Sequence, residues 1–494
     1  MKINSSDYFR GILDNPKEFD QLVLFKNVND MLDDCEKKYS SKACIQFLNG
    51  SKTYSDLKSD AMIIAKVLKE SGVSKGDTVG LLFRNEYDFV ISFFACSMLG
   101  AIAALLPLSL QAPVVERLSY LFRYKVILFN DFGEPQFESI NSLTKINVSK
   151  LDYSCGVEVE KASVLPDDPA CIVFTGGTTG NPKGVLLSHK NLCRGALNGT
   201  YTIGTLFNHR YLSLIPFTHI FGLIKNLLSS ILSGSTLYVC PNPASFAKEA
   251  MAFAPDTLVL TPGLASMVLT LMKTYSPKMF GPNFNTIIAG GANVPPKLIE
   301  EFYELGIKCL PGYGLTEAAN LVSGNASIEK NKESVGIMYP GQELKIVDNE
   351  LLVKGDNVFL GYYGNPEATN KVLIDGWLHT GDLATMDEDG FLYIYGRVGN
   401  MIVLSSGLKI VPEEIEAEIS LNKLVRDSIV RKALNNDSIE AEVLLFDNSE
   451  ANQEIVKEYI LNEVNSKING DIKVTNVIFR SEDFKRTPAM KIIR

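Results

Sequence analysis

The stretch Val173-Phe174-Thr175-Gly176-Gly177-Thr178-Thr179-Gly180-Asn181-Pro182-Lys183-Gly184-Val185 decides how this chain is understood. An apolar run from Cys171 to Phe174 fits a short buried strand. The chain then turns abruptly to glycine, threonine, one proline and one lysine. Backbone without Cβ atoms bends sharply and approaches a ligand closely, and successive N–H groups in such a loop form a concave anion site. Three threonine hydroxyls and the Lys183 ammonium add donors and positive charge. Together they suit a polyphosphate.

The loop is not a Walker A element. That pattern places Lys and Ser/Thr directly after a glycine, whereas Lys183 lies between Pro182 and Gly184. Working outward, residues 21–150 alternate helix and strand signals. Val28 to Tyr39 is amphipathic, and a second helix runs from Tyr54 towards Ser71 with Ser55 as its N-cap. Thr78–Phe83, Ile102–Leu106 and Val126–Phe129 are apolar and strand-like. The rhythm resumes after the glycine loop with strands at Leu212–Ile215, Thr236–Val239, Thr257–Leu260 and Thr286–Ala289, and helices at Phe221–Leu232 and Gly263–Lys273. Helices between apolar strands imply a buried, mostly parallel sheet. From Ser334 to Tyr395 short strands and tight turns predict a β-rich subdomain packed on the α/β core. Beyond residue 400, strands at Met401–Leu404, Ser428–Lys432, Ala441–Phe446 and Val474–Phe479, with helices at Pro412–Ile419 and Asn452–Ile468, make a small α+β domain. The fold class is therefore α/β: a large N-terminal domain of parallel-type sheets with packed helices and a β-rich subdomain, then a small α+β C-terminal domain. The expected boundaries are 1–397 and 401–494, joined through 398–400.

Composition narrows the function classes. The 494 residues carry a net charge of −9, which argues against a nucleic-acid partner, since a phosphate footprint needs a basic face. Eight cysteines include no C-x-x-C pair, and only four histidines accompany them, so a zinc site is not expected. The cysteines suit core positions in a reducing cytoplasm. Met1–Asp20 is polar and mixed in charge, unlike a secretory signal. Phe89–Val115 has no charge and could span a bilayer by length. Gly100 and Pro107 divide it, however, which predicts a buried helix followed by a buried strand rather than a transmembrane segment.

Five further motifs follow the glycine loop in order: Pro216-Phe217-Thr218-His219-Ile220-Phe221-Gly222; Ala289-Gly290-Gly291-Ala292-Asn293-Val294-Pro295; Gly312-Tyr313-Gly314-Leu315-Thr316-Glu317; Trp377-Leu378-His379-Thr380-Gly381-Asp382-Leu383 closing on Gly396-Arg397; and the tail Phe484-Lys485-Arg486-Thr487-Pro488-Ala489-Met490-Lys491. With the glycine loop, this series resembles the AMP-forming adenylating superfamily of acyl-CoA synthetases, peptide-synthetase adenylation domains and luciferases, over about residues 28–494.

The resemblance implies a site. Thr175, Gly176, Gly177, Thr178, Thr179, Gly180 and Lys183 would hold the β- and γ-phosphates of ATP. Glu317 would hold Mg²⁺, a hard cation suited to a carboxylate, and Thr316 would contact phosphate. Gly291, Ala292, Gly312, Tyr313 and Gly314 would border the nucleotide, Asp382 the ribose, and Arg397 the ribose or phosphate. His219, Phe221, Gly222, Gly290, Gly291 and Gly314 would line the acyl pocket. No acid follows Phe217 at the place where amino-acid-activating members carry Asp, which points to an acyl or aryl acid. Lys491 would be the catalytic lysine, with Met490 replacing the family's usual glycine. The resemblance also implies that 401–494 is mobile about a hinge at 398–400, where Val398-Gly399-Asn400 departs from the family's pattern, and that the Gly407 region faces the thiol donor. The expected reaction is adenylation of a fatty or aryl acid, then transfer to coenzyme A. The alternative acceptor is a carrier-protein phosphopantetheine. The acid itself and the oligomeric state are not readable.

Overall fold

The computed structural model describes residues 3–134, 143–154, 156–175, 182–405, 408–433, 438–468, 473–486 and 492. The chain forms two compact units. One comprises Met1–Leu344, Val353–Leu378 and Asp387–Leu392; the other comprises Lys345–Leu352, His379–Met386 and Tyr393–Arg494.

Among the described residues, the first unit is built on two large sheets. One runs in the order Ile337–Met338, Ser323–Gly324, Lys308–Tyr313, Thr286–Ala289, Thr257–Leu260, Arg210–Ser213, Thr236–Val239, Ala43–Phe47 and Gly50–Thr53. It is parallel from Lys308–Tyr313 to Ala43–Phe47 and antiparallel at both edges. The other runs Gly361–Tyr362, Lys183–Ser188, Pro169–Thr175, Ile102–Pro107, Thr78–Phe83, Tyr124–Phe129 and Thr144–Asn147. Its central strands Thr78–Phe83 and Ile102–Pro107 are buried but for Pro107, as parallel strands covered on both faces are. Every alternating strand expected between Thr78 and Ala289 is present, with ends shifted by at most two residues.

The uncharged stretch behaves as expected. Tyr87–Leu99 is a helix whose residues from Phe89 onward are buried, stopped by Gly100 at φ 63°, and the strand Ile102–Pro107 follows. Among the described residues no helix is long and apolar enough to cross a membrane.

Local chemistry corrects several expectations. The helix Tyr54–Glu70 is capped by Thr53, not Ser55. The Thr53 hydroxyl accepts from Asp56 N at 3.0 Å, and the Asp56 carboxylate accepts from Thr53 N at 2.8 Å. That reciprocal box satisfies two orphan donors and leaves Ser55 inside the first turn. The expected helix Phe221–Leu232 begins as a π-helix, Gly222–Leu228, and becomes α-helical only at Ser229–Leu232. The Ser229 N–H and hydroxyl both donate to the Ile224 carbonyl five residues back, the wide-turn pattern that periodicity alone does not distinguish from α. Within Ser334–Tyr395 a helix, Pro366–Val372, interrupts the strands, with Asn365 as its cap and Pro366 in its first turn.

The second unit has its own core. Ile415 and Ile419 of helix Pro412–Ser420, Val456 of helix Glu450–Tyr459, and Ile439, Ala441 and Val443 of the strand Ile439–Leu445 are buried together. That strand is central in a sheet with Val425–Lys432 and Val474–Phe479. The helix expected over Asn452–Ile468 starts at Glu450 and passes through a π-turn at Ile460–Val464.

Candidate active site

In the first unit the expected residues gather at strand ends. Strands Arg210–Ser213, Thr257–Leu260, Thr286–Ala289 and Lys308–Tyr313 are parallel neighbours. His219 follows the first, Gly290 and Gly291 the third, and Gly312 to Gly314 close the fourth. The carboxyl ends of parallel strands are where open α/β sheets hold ligands. A cavity of about 40 Å³ lies there, and Phe221, Gly290, Gly291, Gly312, Tyr313 and Gly314 are all in its wall. His219 and Gly222 are not among its lining residues.

The glycines serve different purposes. A Cβ on Gly314 would sit 1.1 Å from the Asn320 carbonyl oxygen, and one on Gly222 would sit 2.2 Å from that of Pro216. Both are therefore demanded by backbone packing, and the space they vacate belongs to neighbouring chain rather than to a ligand. Gly291 has φ 81°, a conformation that L side chains resist.

His219 is half-buried. Its Nδ1 accepts from Phe221 N at 3.2 Å, which assigns the proton of the neutral ring to Nε2. That nitrogen can donate to an acid's oxygen.

The glycine loop connects two antiparallel strands, with Thr175 opposite Lys183. Residues 176–181 lie outside the described residues, so Gly176, Gly177, Thr178, Thr179 and Gly180 have no geometry here. Lys183 is exposed, and its ammonium stands 4.8 Å from the centre of the Tyr362 ring. Tyr362 Oη donates to Glu317 Oε1 at 2.8 Å. Tyr362 is held there because Gly361–Tyr362 pairs with the strand that carries Lys183. Phe359 N donates to the Glu317 carbonyl at 2.9 Å. Thr316 and Glu317 share the 3-10 turn Thr316–Ala318. One tyrosine thus ties the lysine after the loop to the expected metal carboxylate.

Asp382 and Arg397 belong to the second unit. Arg397 Nε donates to Asp382 Oδ1 at 2.6 Å; the Asp382 side chain is 9% exposed and that of Arg397 56%. Gly381, at φ 69°, turns the strand Trp377–Met386. Its N–H donates to Glu350 Oε1 at 2.9 Å, and the Thr380 hydroxyl accepts from Asp382 N at 3.0 Å. Val398–Asn400 forms a 3-10 turn, and Asn400 Nδ2 donates to Glu413 Oε1 at 2.6 Å. Gly407 and Lys491 lie outside the described residues.

Residues 32–363 match the family model of AMP-binding enzymes. The chain belongs to that family. It is 30% identical over 394 residues to a 2-succinylbenzoate–CoA ligase of a Geobacillus species, covering 77% of this chain and 79% of that protein. It is 26% identical over 498 residues to a long-chain-fatty-acid–CoA ligase of Bacillus subtilis, covering 87% of each. In fold it matches the anthranilate CoA ligase AuaEII in complex with anthranoyl-AMP, with a TM-score of 0.83, 23% identity and 96% of each chain covered. The α/β class and the larger and smaller units agree with those enzymes.

Sequence reasoning missed Tyr362, which lies outside every motif quoted above. It also missed three aromatic residues of the cavity wall. Phe9, on helix Ser5–Gly11, stacks on Tyr339 at 4.8 Å and lies 4.8 Å from Tyr201. The signal was a Tyr8-Phe9 pair within an otherwise polar N-terminal segment. Lys225 in the same wall was missed too. A lone lysine in the run from Ile220 to Leu228 was its only trace.

Proposed function

We propose that this AMP-binding enzyme is an acid–CoA ligase. It activates a fatty or aryl acid with Mg-ATP to an acyl-adenylate, releases pyrophosphate, and passes the acyl group to the coenzyme A thiol. The observation that carries this reading is the Lys183–Tyr362–Glu317 arrangement beside the glycine loop. The names of the relatives support the acid–CoA class.

The donor chemistry suits the co-substrates. Among the described residues no group of three or more His, Cys, Asp or Glu gathers to cage a metal. A single carboxylate at Glu317 is instead the arrangement Mg²⁺ accepts, since it keeps waters and takes further ligands from phosphate. Bound there, Mg²⁺ would neutralise phosphate charge. The attacking carboxylate is already anionic, so the first half-reaction needs alignment and charge neutralisation rather than a general base. Lys183 and the Thr175–Gly180 loop grip the phosphates. Thr316 contacts phosphate, and His219 Nε2 faces the acid's carboxylate. Gly291, Ala292, Gly312, Tyr313 and Gly314 border the nucleotide. Phe221 and Gly290 belong to the acid side. Asp382 accepts from ribose hydroxyls, Arg397 binds the ribose or phosphate, and Lys491 bridges the carboxylate and the α-phosphate. Residues 1–397 are the adenylation core, 398–400 the hinge and 401–494 the mobile domain. A cytoplasmic location is supported by Cys35, Cys44, Cys96, Cys171, Cys193, Cys240 and Cys309, all unpaired and buried.

Pyrophosphate release across a panel of carboxylic acids tests the first half-reaction, and silence across the panel overturns the proposal. CoA-dependent AMP release, run beside loading of a holo carrier protein, decides the acceptor. Lys491→Ala is expected to abolish most pyrophosphate release while sparing thioester formation from preformed acyl-adenylate. Equal loss in both half-reactions removes Lys491 from its assigned role.

A further inference from the structure

Lys225 is a lysine where a lysine is costly. It lies on the π-helix Gly222–Leu228, directly after the His219–Gly222 motif, and is 2% exposed. Its ammonium donates to the Gly199 carbonyl and lies 5.6 Å from the centre of the Tyr211 ring. Among the described residues no carboxylate stands within ion-pairing distance of it. Taking an ammonium out of water costs several kcal/mol unless a counter-charge accompanies it, and burial accordingly pushes the Lys225 pKa down to about 7.

Lys225 is not alone. The cavity that it lines is also lined by Thr202 and Asn320. Both are buried, and among the described residues the Thr202 hydroxyl and Asn320 amide nitrogen have no hydrogen-bond partner. Buried polar atoms without partners are rare and expensive. Asn320 is moreover held at φ 77°, next to Ala319 at φ 45°, and such strain collects where a ligand is gripped. Three groups able to donate therefore border one space with no acidic group among its lining residues. The remaining wall is mostly apolar side chains and glycine backbone, with the aromatic rings Phe9, Tyr201 and Tyr339 and one more amide, Asn325. At about 40 Å³ the space accepts a compact group rather than a long alkyl chain.

We propose that Lys225, Thr202 and Asn320 form an anion subsite of the acid pocket that binds a second carboxylate, so that this ligase selects compact dicarboxylic acids. The inference rests on the ligase reading above and names its substrate class. One carboxylate goes to the adenylation chemistry; the other replaces the missing counter-ion of Lys225 and accepts from the Thr202 and Asn320 donors.

The test uses matched probes: butyrate with succinate, hexanoate with adipate, and benzoate with isophthalate. Pyrophosphate release gives a kcat/KM ratio of diacid to monoacid for each pair. The wild-type protein is expected to prefer the diacid in at least one pair. Lys225→Met is expected to lower that ratio about 10- to 100-fold, the worth of a charge-assisted hydrogen bond. Thr202→Val, of matching shape, should lower it in the same direction, which guards against a misfolded lysine variant. A wild-type preference for every monoacid, or a ratio unmoved by both substitutions, overturns the subsite. Thermal shift without ATP separates this idea from the reading beneath it. Diacid stabilisation that Lys225→Met abolishes, with no pyrophosphate released, keeps the subsite and defeats the ligase assignment. Pyrophosphate release from monoacids with no dependence on Lys225 does the reverse.

Discussion

Two buried charges in this molecule are treated in opposite ways. Asp382, in the second unit, has Arg397 at 2.6 Å and backbone contacts that fix the turn around it. Lys225, in the first unit, has one carbonyl and one ring face. The first charge is satisfied within its own unit, through a partner that is half in water. The second has no carboxylate partner among the described residues, and two donors that are unpartnered among those residues line the same cavity. Function and stability are therefore coupled differently at the two places. At Asp382 a ribose bound as proposed would share the carboxylate with Arg397. At Lys225 a ligand would relieve a cost that the fold already carries.

The largest expected effect attacks the first side of this contrast. Asp382→Ala should raise the KM for ATP in pyrophosphate release about 100-fold, the loss of two charge-assisted hydrogen bonds to ribose. Its unfolding free energy should change by less than about 1 kcal/mol, because an ion pair with a half-exposed arginine contributes little. A large stability loss with an unaltered KM would make the pair structural. The second effect attacks the other side. An unfolded lysine keeps its proton to about 10.5, whereas burial lowers the native Lys225 pKa to about 7. Between those values the unfolded state binds more protons, so this group makes stability rise with pH, by at most about 1.4 kcal/mol per unit. Lys225→Met should lack that rise and be the more stable protein at pH 7. Urea unfolding of both proteins at pH 7 and pH 9 measures the difference, and parallel profiles would show that Lys225 is solvated.

The same contrast explains what could be read from residues alone. The alternating strands from Thr78 to Ala289 were legible because each is an apolar run bounded by turn chemistry. Glu317, Asp382 and Arg397 could be nominated from residues alone because they sit inside short motifs that resemble those of a known family. Lys225 was not, since a lysine in an apolar helix ordinarily threads its stem outward and keeps its ammonium in water. Only packing shows that Gly199 and Tyr211 close over it. Thr53 displaced Ser55 as the cap because the reciprocal bond with Asp56 depends on backbone angles that residue type leaves open. Tyr362 escaped notice because its role comes from strand pairing with Lys183–Ser188, a contact across more than a hundred and seventy residues.

Tyr362 supplies the smallest and most discriminating prediction, because it falls between the two extremes. It serves Lys183 with its ring face and Glu317 with its hydroxyl. Tyr362→Phe keeps the face and removes only the bond to the carboxylate. A neutral-to-charged hydrogen bond of this kind contributes about 1–2 kcal/mol. If that bond orients Glu317 for Mg²⁺, the Mg²⁺ concentration for half-maximal pyrophosphate release should rise about 5- to 20-fold, with little change in KM for the acid. Tyr362→Leu also removes the cation–π contact, worth roughly 0.5–1 kcal/mol near a surface, and should add a smaller rise in KM for ATP. If both variants shift Mg²⁺ and ATP dependence equally, the hydroxyl has no separate role, and Tyr362 is only a spacer between two strands. If Tyr362→Phe alone shifts Mg²⁺ dependence, the tyrosine is a positioning residue. Satisfied contacts then tune this site as strongly as the unsatisfied ones around Lys225.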